Sequence, residues 1–163
     1  MQEDYTRHPV TSKEYWEGRV KATKNLKDMI FVDARRDIFW ERVDAQLAMW
    51  AAQGHVALDI ACGYGRFSQA FATDKYVGVD FCEGMFNLAR EKYPQHTFVQ
   101  LDAKAPGIVT AKYDIIYEVN CLKSLGMTYE QFIEHFTPFA KVAVACLERD
   151  RFTISNVYPD GYR

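Results

Sequence analysis

The stretch Val56–Gly65, VALDIACGYG, decides how the rest of the chain is read. Its apolar opening, Val56 to Leu58, suits a fully buried strand. Asp59 follows, then a loop of mostly small residues, Ala61-Cys62-Gly63-Tyr64-Gly65, and Arg66 to Phe71 has a helical pattern. A strand, a tight glycine turn and a helix put the loop just beyond the strand's carboxyl end. Open α/β sheets bind their ligands there. Glycine lets a ligand approach the backbone closely. A carboxylate at the strand's end can hold a cationic or hydroxyl-bearing group.

Downstream the strand–helix rhythm continues. Tyr76 to Val79 reads as a strand ending in Asp80, and Glu83 to Lys92 as a helix that Pro94 cannot extend. Thr97 to Leu101 reads as a strand ending in Asp102, and Ala105 to Thr110 as a connector. Tyr113 to Val119 is a strand followed by a loop, Asn120 to Gly126. Thr128 caps a helix over Tyr129 to Phe136, and Ala140 to Leu147 is a long apolar strand. Alternation of this kind predicts a doubly wound, mostly parallel α/β sheet with both faces covered. Phe152 to Tyr158 follows a charged turn with no helix between, so it is expected to return antiparallel to Ala140–Leu147. Pro159-Asp160-Gly161 is a further turn signal.

Upstream, Met1 to Val10 reads as an arm. Ser12 caps a helix carrying Tyr15, Trp16, Val20 and Leu26. A second helix, capped by Asp33 and stopped by Gly54, repeats Phe39, Val43, Leu47 and Trp50 at helical spacing, a stripe that should pack on the sheet. Residues 1–54 are therefore expected to form an arm and helices. Tyr5, His8, Tyr15 and Trp16 are candidates for a lid. Residues 55–163 form the ligand-binding core, within one structural domain overall.

Bulk properties narrow the classes. A net charge of −2 gives no general attraction to nucleic acid. The basic cluster Arg19, Lys21, Lys24 and Lys27 is flanked by Glu14, Glu17 and Asp28, as on a solvated helix face. Cys62, Cys82, Cys121 and Cys146 form no C-x-x-C pair, which suits a reduced, cytoplasmic setting. No stretch has the length and apolarity of a membrane span, and no secretory signal opens the chain. His8, His55, His96 and His135 are scattered, so no metal site is expected.

Asp59, Asp80 and Asp102 close three successive strands, and parallel strands bring those ends to one edge. A carboxylate after the second strand suits ribose hydroxyls. Asp102 could accept from an exocyclic amine, and Asp59 could meet an ammonium, directly or through water. The dinucleotide fingerprint G-x-G-x-x-G fails, since its positions fall on Ala61, Gly63 and Arg66. The lysine-bearing phosphate loop is absent. An adenosine ligand without a pyrophosphate remains.

These segments resemble the class I S-adenosylmethionine-dependent methyltransferases. LDIACGYGRFS (Leu58–Ser68) resembles their motif I, GVDFCEGMFNLARE (Gly78–Glu91) their second strand and helix, VQLDA (Val99–Ala103) their third strand, and YDIIYEVNCL (Tyr113–Leu122) their fourth. The resemblance covers roughly Val56 to Leu147. It implies a sheet of the class I methyltransferase type, here shortened at the C-terminus, and S-adenosylmethionine as cofactor. Asp59, Ala61, Gly63 and Gly65 would line the methionine part, Asp80 would bind the ribose, and Phe81 or Cys82 would lie near the adenine. Asp102 would accept from the adenine amino group beside Ala103. Glu118 to Cys121 would border the methyl and the acceptor, with Glu118 and Asn120 as catalytic candidates. Ala61 replaces the first motif glycine and fits if its φ is negative.

The family usually continues past its fifth strand with a helix and a β-hairpin. Here the chain passes directly into one strand, which could replace the family's final antiparallel one. The penultimate strand and its helix would then be missing and one face left thin, for the N-terminal helices or a second copy to cover. A homo-oligomer through Phe152–Tyr158 is the expectation. An adenine-modifying DNA enzyme would carry Asn or Asp, Pro, Pro and an aromatic where Glu118-Val119-Asn120-Cys121 stand. The expected reaction is therefore in-line methyl transfer to a small molecule. The alternatives are a non-catalytic cofactor-binding module and another reaction on the cofactor, such as its cleavage.

Overall fold

Ala57–Ile60 forms strand β1, and all four of its residues are buried. In this computed structural model residues 4–23, 38–105 and 113–157 are described. The further strands are β2 (Tyr76–Asp80), β3 (Thr97–Gln100), β4 (Tyr113–Val119), β5 (Ala140–Leu147) and β6 (Phe152–Asn156). They make one sheet in the order β3-β2-β1-β4-β5-β6. β1 to β5 are mutually parallel, and β6 returns antiparallel to β5 with Leu147 opposite Phe152. The order reverses between β1 and β4, so a crevice opens at their carboxyl ends.

The described helices are α1 (Lys13–Ala22), α2 (Ile38–Ala52), α3 (Glu83–Lys92), α4 (Leu122–Leu125) and α5 (Tyr129–Phe136). The α2 stripe Phe39, Val43, Leu47 and Trp50 is buried with Ile115, Tyr117, Ala143 and Ala145. On the opposite face Phe132 and Phe136 of α5 pack with Leu58, Ile60, Ile116 and Val144. Strand period explains the division, because Ile115 and Tyr117 point one way and Ile116 and Glu118 the other. Each fully buried aromatic contributes about 2 kcal/mol. Phe39 of α2 meets Phe152 of β6 edge-on at 6.2 Å, so a helix of the same chain covers part of the face expected to be thin. Among the described residues no helix is long and apolar enough to cross a membrane.

Local capping is legible in the sequence. Ser12 accepts from Tyr15 N, and Thr128 and Gln131 form a reciprocal capping box at α5. Gly54, at φ +77, follows the end of α2.

Four features differ from expectation. Arg66–Ala70 is a 3-10 helix, entered from Gly65 in the left-handed region without a side-chain cap. Helix α4 occupies the expected loop Asn120–Gly126, because the carboxylates of Glu118 and Glu148 accept from Cys121 N and Leu122 N. β6 ends at Asn156. Ala61 lies at φ +57, not at a negative φ. The following Cys62 N donates to Val79 O at 3.0 Å where the chain leaves β1. The assignments of Leu26, Lys24, Lys27, Asp33, most of the Ala105–Thr110 connector, and the chain from Tyr158 onward lie outside the described residues.

Candidate functional site

A cavity of about 630 Å³ opens at the carboxyl ends of β1 to β4. This is ample for a cofactor-sized ligand. Ala61, Cys62 and Gly63 line it after β1, Asp80 and Phe81 after β2, Asp102 and Ala103 after β3, and Asn120 and Cys121 after β4.

Asp80 ties the first two of these loops together. Its Oδ2 accepts from Gly63 N and its Oδ1 from Cys82 N, each at 2.9 Å. The carboxyl is 8% exposed. Burial pushes its pKa up to about 6 against those two backbone donors, and the Glu17 charge adds to the rise. Each oxygen keeps a second lone pair, so the group can still accept from a ligand. Gly63 sits at φ +57, and a Cβ there would meet nothing nearer than Met85 Sδ at 4.0 Å. The backbone beside Asp80 is thus open to a ligand. Asp102 is exposed at the rim, with Oδ1 accepting from Lys104 N at 2.9 Å.

Asp59 and Gly65 stand behind this surface rather than on it. Asp59 is 1% exposed and accepts from Tyr76 Oη at 2.7 Å. Burial pushes its pKa up to about 7, opposed by the Tyr76 and Tyr117 hydroxyls. Gly65, at φ +80, leaves room for the Phe98 ring, whose Cζ would lie 2.5 Å from a Cβ. Both residues hold the loop from below.

The structure separates the two acceptor-side candidates. Asn120 lines the cavity in the left-handed region, φ +53, which asparagine tolerates better than most residues. Glu118 is 0% exposed and does not line the cavity. Its Oε2 accepts from Cys121 N at 2.7 Å, and its Oε1 has no hydrogen-bond partner. Burial holds its carboxyl well above the usual carboxylate range, and the neighbouring Glu148 raises it further.

Glu148 lines the cavity, with Oε1 accepting from Leu122 N at 2.9 Å. The sequence placed it in a charged turn. The rule that picked out Asp59, Asp80 and Asp102, an acid at a parallel strand's end, would have found it.

The remaining wall comes from far away in sequence. Val10, Tyr15, Trp16 and Arg19 of the N-terminal segment face the cavity, together with Trp40 of α2 and Arg66. Trp16 Nε1 donates to Val10 O at 2.7 Å, and Tyr5 packs edge-on against Tyr15. α1 docks on α3 because Glu17 accepts from Glu83 N and Gly84 N, a carboxylate at a helix N-terminus. Gly84 permits the approach, since a Cβ there would lie 2.7 Å from Val20 Cγ1. His8, grouped with these residues in the sequence, does not line the cavity. The Arg66 guanidinium lies over the Trp40 ring at 4.4 Å. Trp40 carried no sequence signal for the site, and Arg66 and Phe67 lay within the Leu58–Ser68 segment without a role assigned to either.

A family model described as a methyltransferase domain matches residues 57–141. No curated protein matches the chain. Solved structures share the fold. The magnesium protoporphyrin IX methyltransferase of Synechocystis PCC 6803 with bound SAM is 22% identical, with a TM-score of 0.53 over 78% of this chain and 66% of that one. A SAM-dependent methyltransferase from Thiobacillus denitrificans in complex with S-adenosyl-L-homocysteine is 16% identical, with a TM-score of 0.55 over 76% of this chain and 54% of that one. DesVI of Streptomyces venezuelae is 19% identical, with a TM-score of 0.50 over 74% and 55%. The chain therefore spans between 54% and 66% of the length of these structures.

Proposed function

The chain belongs to the methyltransferase-domain family, and from that membership we propose that it binds S-adenosylmethionine and transfers its methyl group to a small-molecule acceptor. The observation that carries this is Asp80, a carboxylate on the cavity wall with both oxygens anchored and lone pairs to spare. The cofactor, when bound, supplies an electrophilic sulfonium methyl group.

The chain's own residues then bind, orient and exclude water. Asp80 accepts from the ribose hydroxyls. Asp102 accepts from the adenine amino group at the rim, with Phe81 and Ala103 beside the ring. Ala61 and Gly63 leave room for the methionine part, while Asp59 and Gly65 hold their loop from behind. The segment from Val10 to Arg19 covers the cavity as a lid, which keeps the nucleophile aligned and dry. Asn120 borders the acceptor. The aromatic and cationic wall of Trp16, Trp40, Arg19 and Arg66 lines the same cavity and would contact a small acceptor there.

Calorimetry with S-adenosylmethionine should show binding. Incubation with methyl-labelled cofactor and a metabolite extract should then yield a labelled product and S-adenosylhomocysteine by mass spectrometry. Binding without turnover would leave a cofactor-binding module, and cleavage without a labelled acceptor would point to other chemistry. The proposal extends to a cytoplasmic setting and to a homo-oligomer formed along β6, where Ile154 is 38% exposed. Light scattering that shows a monomer at micromolar concentration would overturn the second.

A further inference from the structure

We propose that Glu148 is the carboxylate that meets the acceptor, and that Glu118 is a positioning residue that holds a proton between the two acids. The inference rests on the methyltransferase proposal above and deepens it at the same site. β4 and β5 are parallel neighbours, with Glu118 opposite Cys146 and Val119 opposite Leu147. Side chains alternate along a strand, so Glu148, two residues beyond Cys146, falls on the face that carries Glu118. The two carboxyls then converge on the start of one helix. Cys121 N donates to Glu118 Oε2 at 2.7 Å, and Leu122 N donates to Glu148 Oε1 at 2.9 Å.

The remaining oxygens differ. Glu118 Oε1 is sealed from solvent and has no hydrogen-bond partner, with the Cys146 thiol of the paired strand lying against the same carboxyl. A carboxylate oxygen in that state is costly, whereas a protonated one becomes a donor. Two neighbouring acids with one of them buried cannot both ionise cheaply, and they share a proton. Burial places that proton on Glu118, and the acceptor for it is Glu148. Glu148 is the member that opens to the cavity. Other titratable groups facing the pair are Asp59 from β1, Cys146 from β5, Cys121 ahead of α4, and Tyr129 from α5. Arg151 and Asp150 bear on Tyr129 from the β5–β6 turn.

This assigns the acceptor class. A carboxylate beside the nucleophile serves a nitrogen or oxygen acceptor with a proton to lose, such as an amine or a phenol. A lone pair of the acceptor forms the new bond to the methyl carbon. The carbon–sulfur electron pair stays on sulfur, leaving the neutral thioether, and the acceptor's proton passes to Glu148.

Two measurements test the proposal. Infrared spectra of the unliganded protein at a pH well above the values of about 7 for Asp59 and about 6 for Asp80 should contain a protonated-carboxyl band that disappears in Glu118→Gln and shifts in Glu148→Gln. A spectrum indifferent to both substitutions would overturn the shared proton. With methyl-labelled cofactor and a metabolite extract, Glu148→Gln should lower labelled product by about 100-fold or more, with cofactor affinity by calorimetry within about twofold of wild type. Glu118→Ala should fall comparably. Glu118→Gln, whose amide can still donate to Glu148, should recover most of that loss and flatten the pH profile. Full product from Glu148→Gln, or loss in Glu118→Gln without loss in Glu148→Gln, would overturn the assignment. If the unmutated protein binds cofactor but labels nothing, the methyltransferase proposal falls and the acceptor role of Glu148 with it; the infrared result still decides the acid pair.

Discussion

The cavity's floor and its far wall are built on different principles. The floor is three strand ends and their loops, and each contributes an acid within a short local unit. Asp80 is bonded to Gly63 N and Cys82 N, and Asp59 to Tyr76 Oη, so the floor is tied together by hydrogen bonds between adjacent strands. The far wall is gathered from Tyr15 and Trp16, Trp40, Arg66, Asn120 and Glu148, which no local unit relates. It is held by ring contacts, a guanidinium over Trp40 and helix-start carboxylates. The floor is thus fixed by the sheet itself, whereas the wall depends on how distant segments pack.

The strongest way to break the comparison is to show that the floor is not a tightly buried unit. A rise of the Asp59 pKa from 3.8 to about 7 corresponds to about 4 kcal/mol. The sign follows from linkage. The folded state holds this proton more tightly than the unfolded state, so the stability is present in full below about pH 4. It is lost as pH rises through about 7. Asp80, raised to about 6, acts in the same direction. Urea unfolding across that range should show stability falling with pH, and Asp59→Asn should make the slope shallower while Asp80 and Glu118 keep the rest. An unchanged slope in the variant would mean that Asp59 is solvated.

Cofactor affinity comes next. Asp80→Ala removes the carboxylate proposed to accept from the ribose and unties two backbone donors, and should weaken S-adenosylmethionine binding by about 2–4 kcal/mol in calorimetry. An acceptor-wall change such as Trp40→Leu should leave that affinity within about threefold. Comparable losses from both would erase the division between floor and wall.

Smaller still is the loop packing from below. Gly65→Ala would put a Cβ 2.5 Å from the Phe98 ring at φ +80. We expect about 2 kcal/mol of destabilisation in denaturant unfolding, with Phe98→Leu recovering part of it.

The smallest effect has the opposite sign. Ala61 sits at φ +57, where a Cβ costs about 1–2 kcal/mol. Ala61→Gly should therefore gain about 0.5–1 kcal/mol after the extra freedom of glycine in the unfolded chain. A loss of stability would show that the Ala61 methyl packs usefully.

The sequence by itself determined the floor. Strand period, glycine at the turn and an acid at each strand end are local patterns, and they predicted β1 to β5, α3, α5 and the carboxylates Asp80 and Asp102 in their places. The antiparallel return of β6 followed from the missing helix before it. Tertiary structure alone decided four further matters. The sequence could not say that Asp59 faces Tyr76 instead of the ligand, because depth below a loop depends on which ring packs beneath it. It could not give the sign of φ at Ala61, set where the chain leaves β1 and Cys62 N reaches Val79 O of the neighbouring strand. It singled out Glu118 and passed over Glu148, since both lie at the ends of parallel strands and only the folded chain buries the first and opens the second to the cavity. Nor could it bring Trp40 and Arg66 to the wall, because such contacts arise only when α2 and the β1 loop are folded onto the same sheet face.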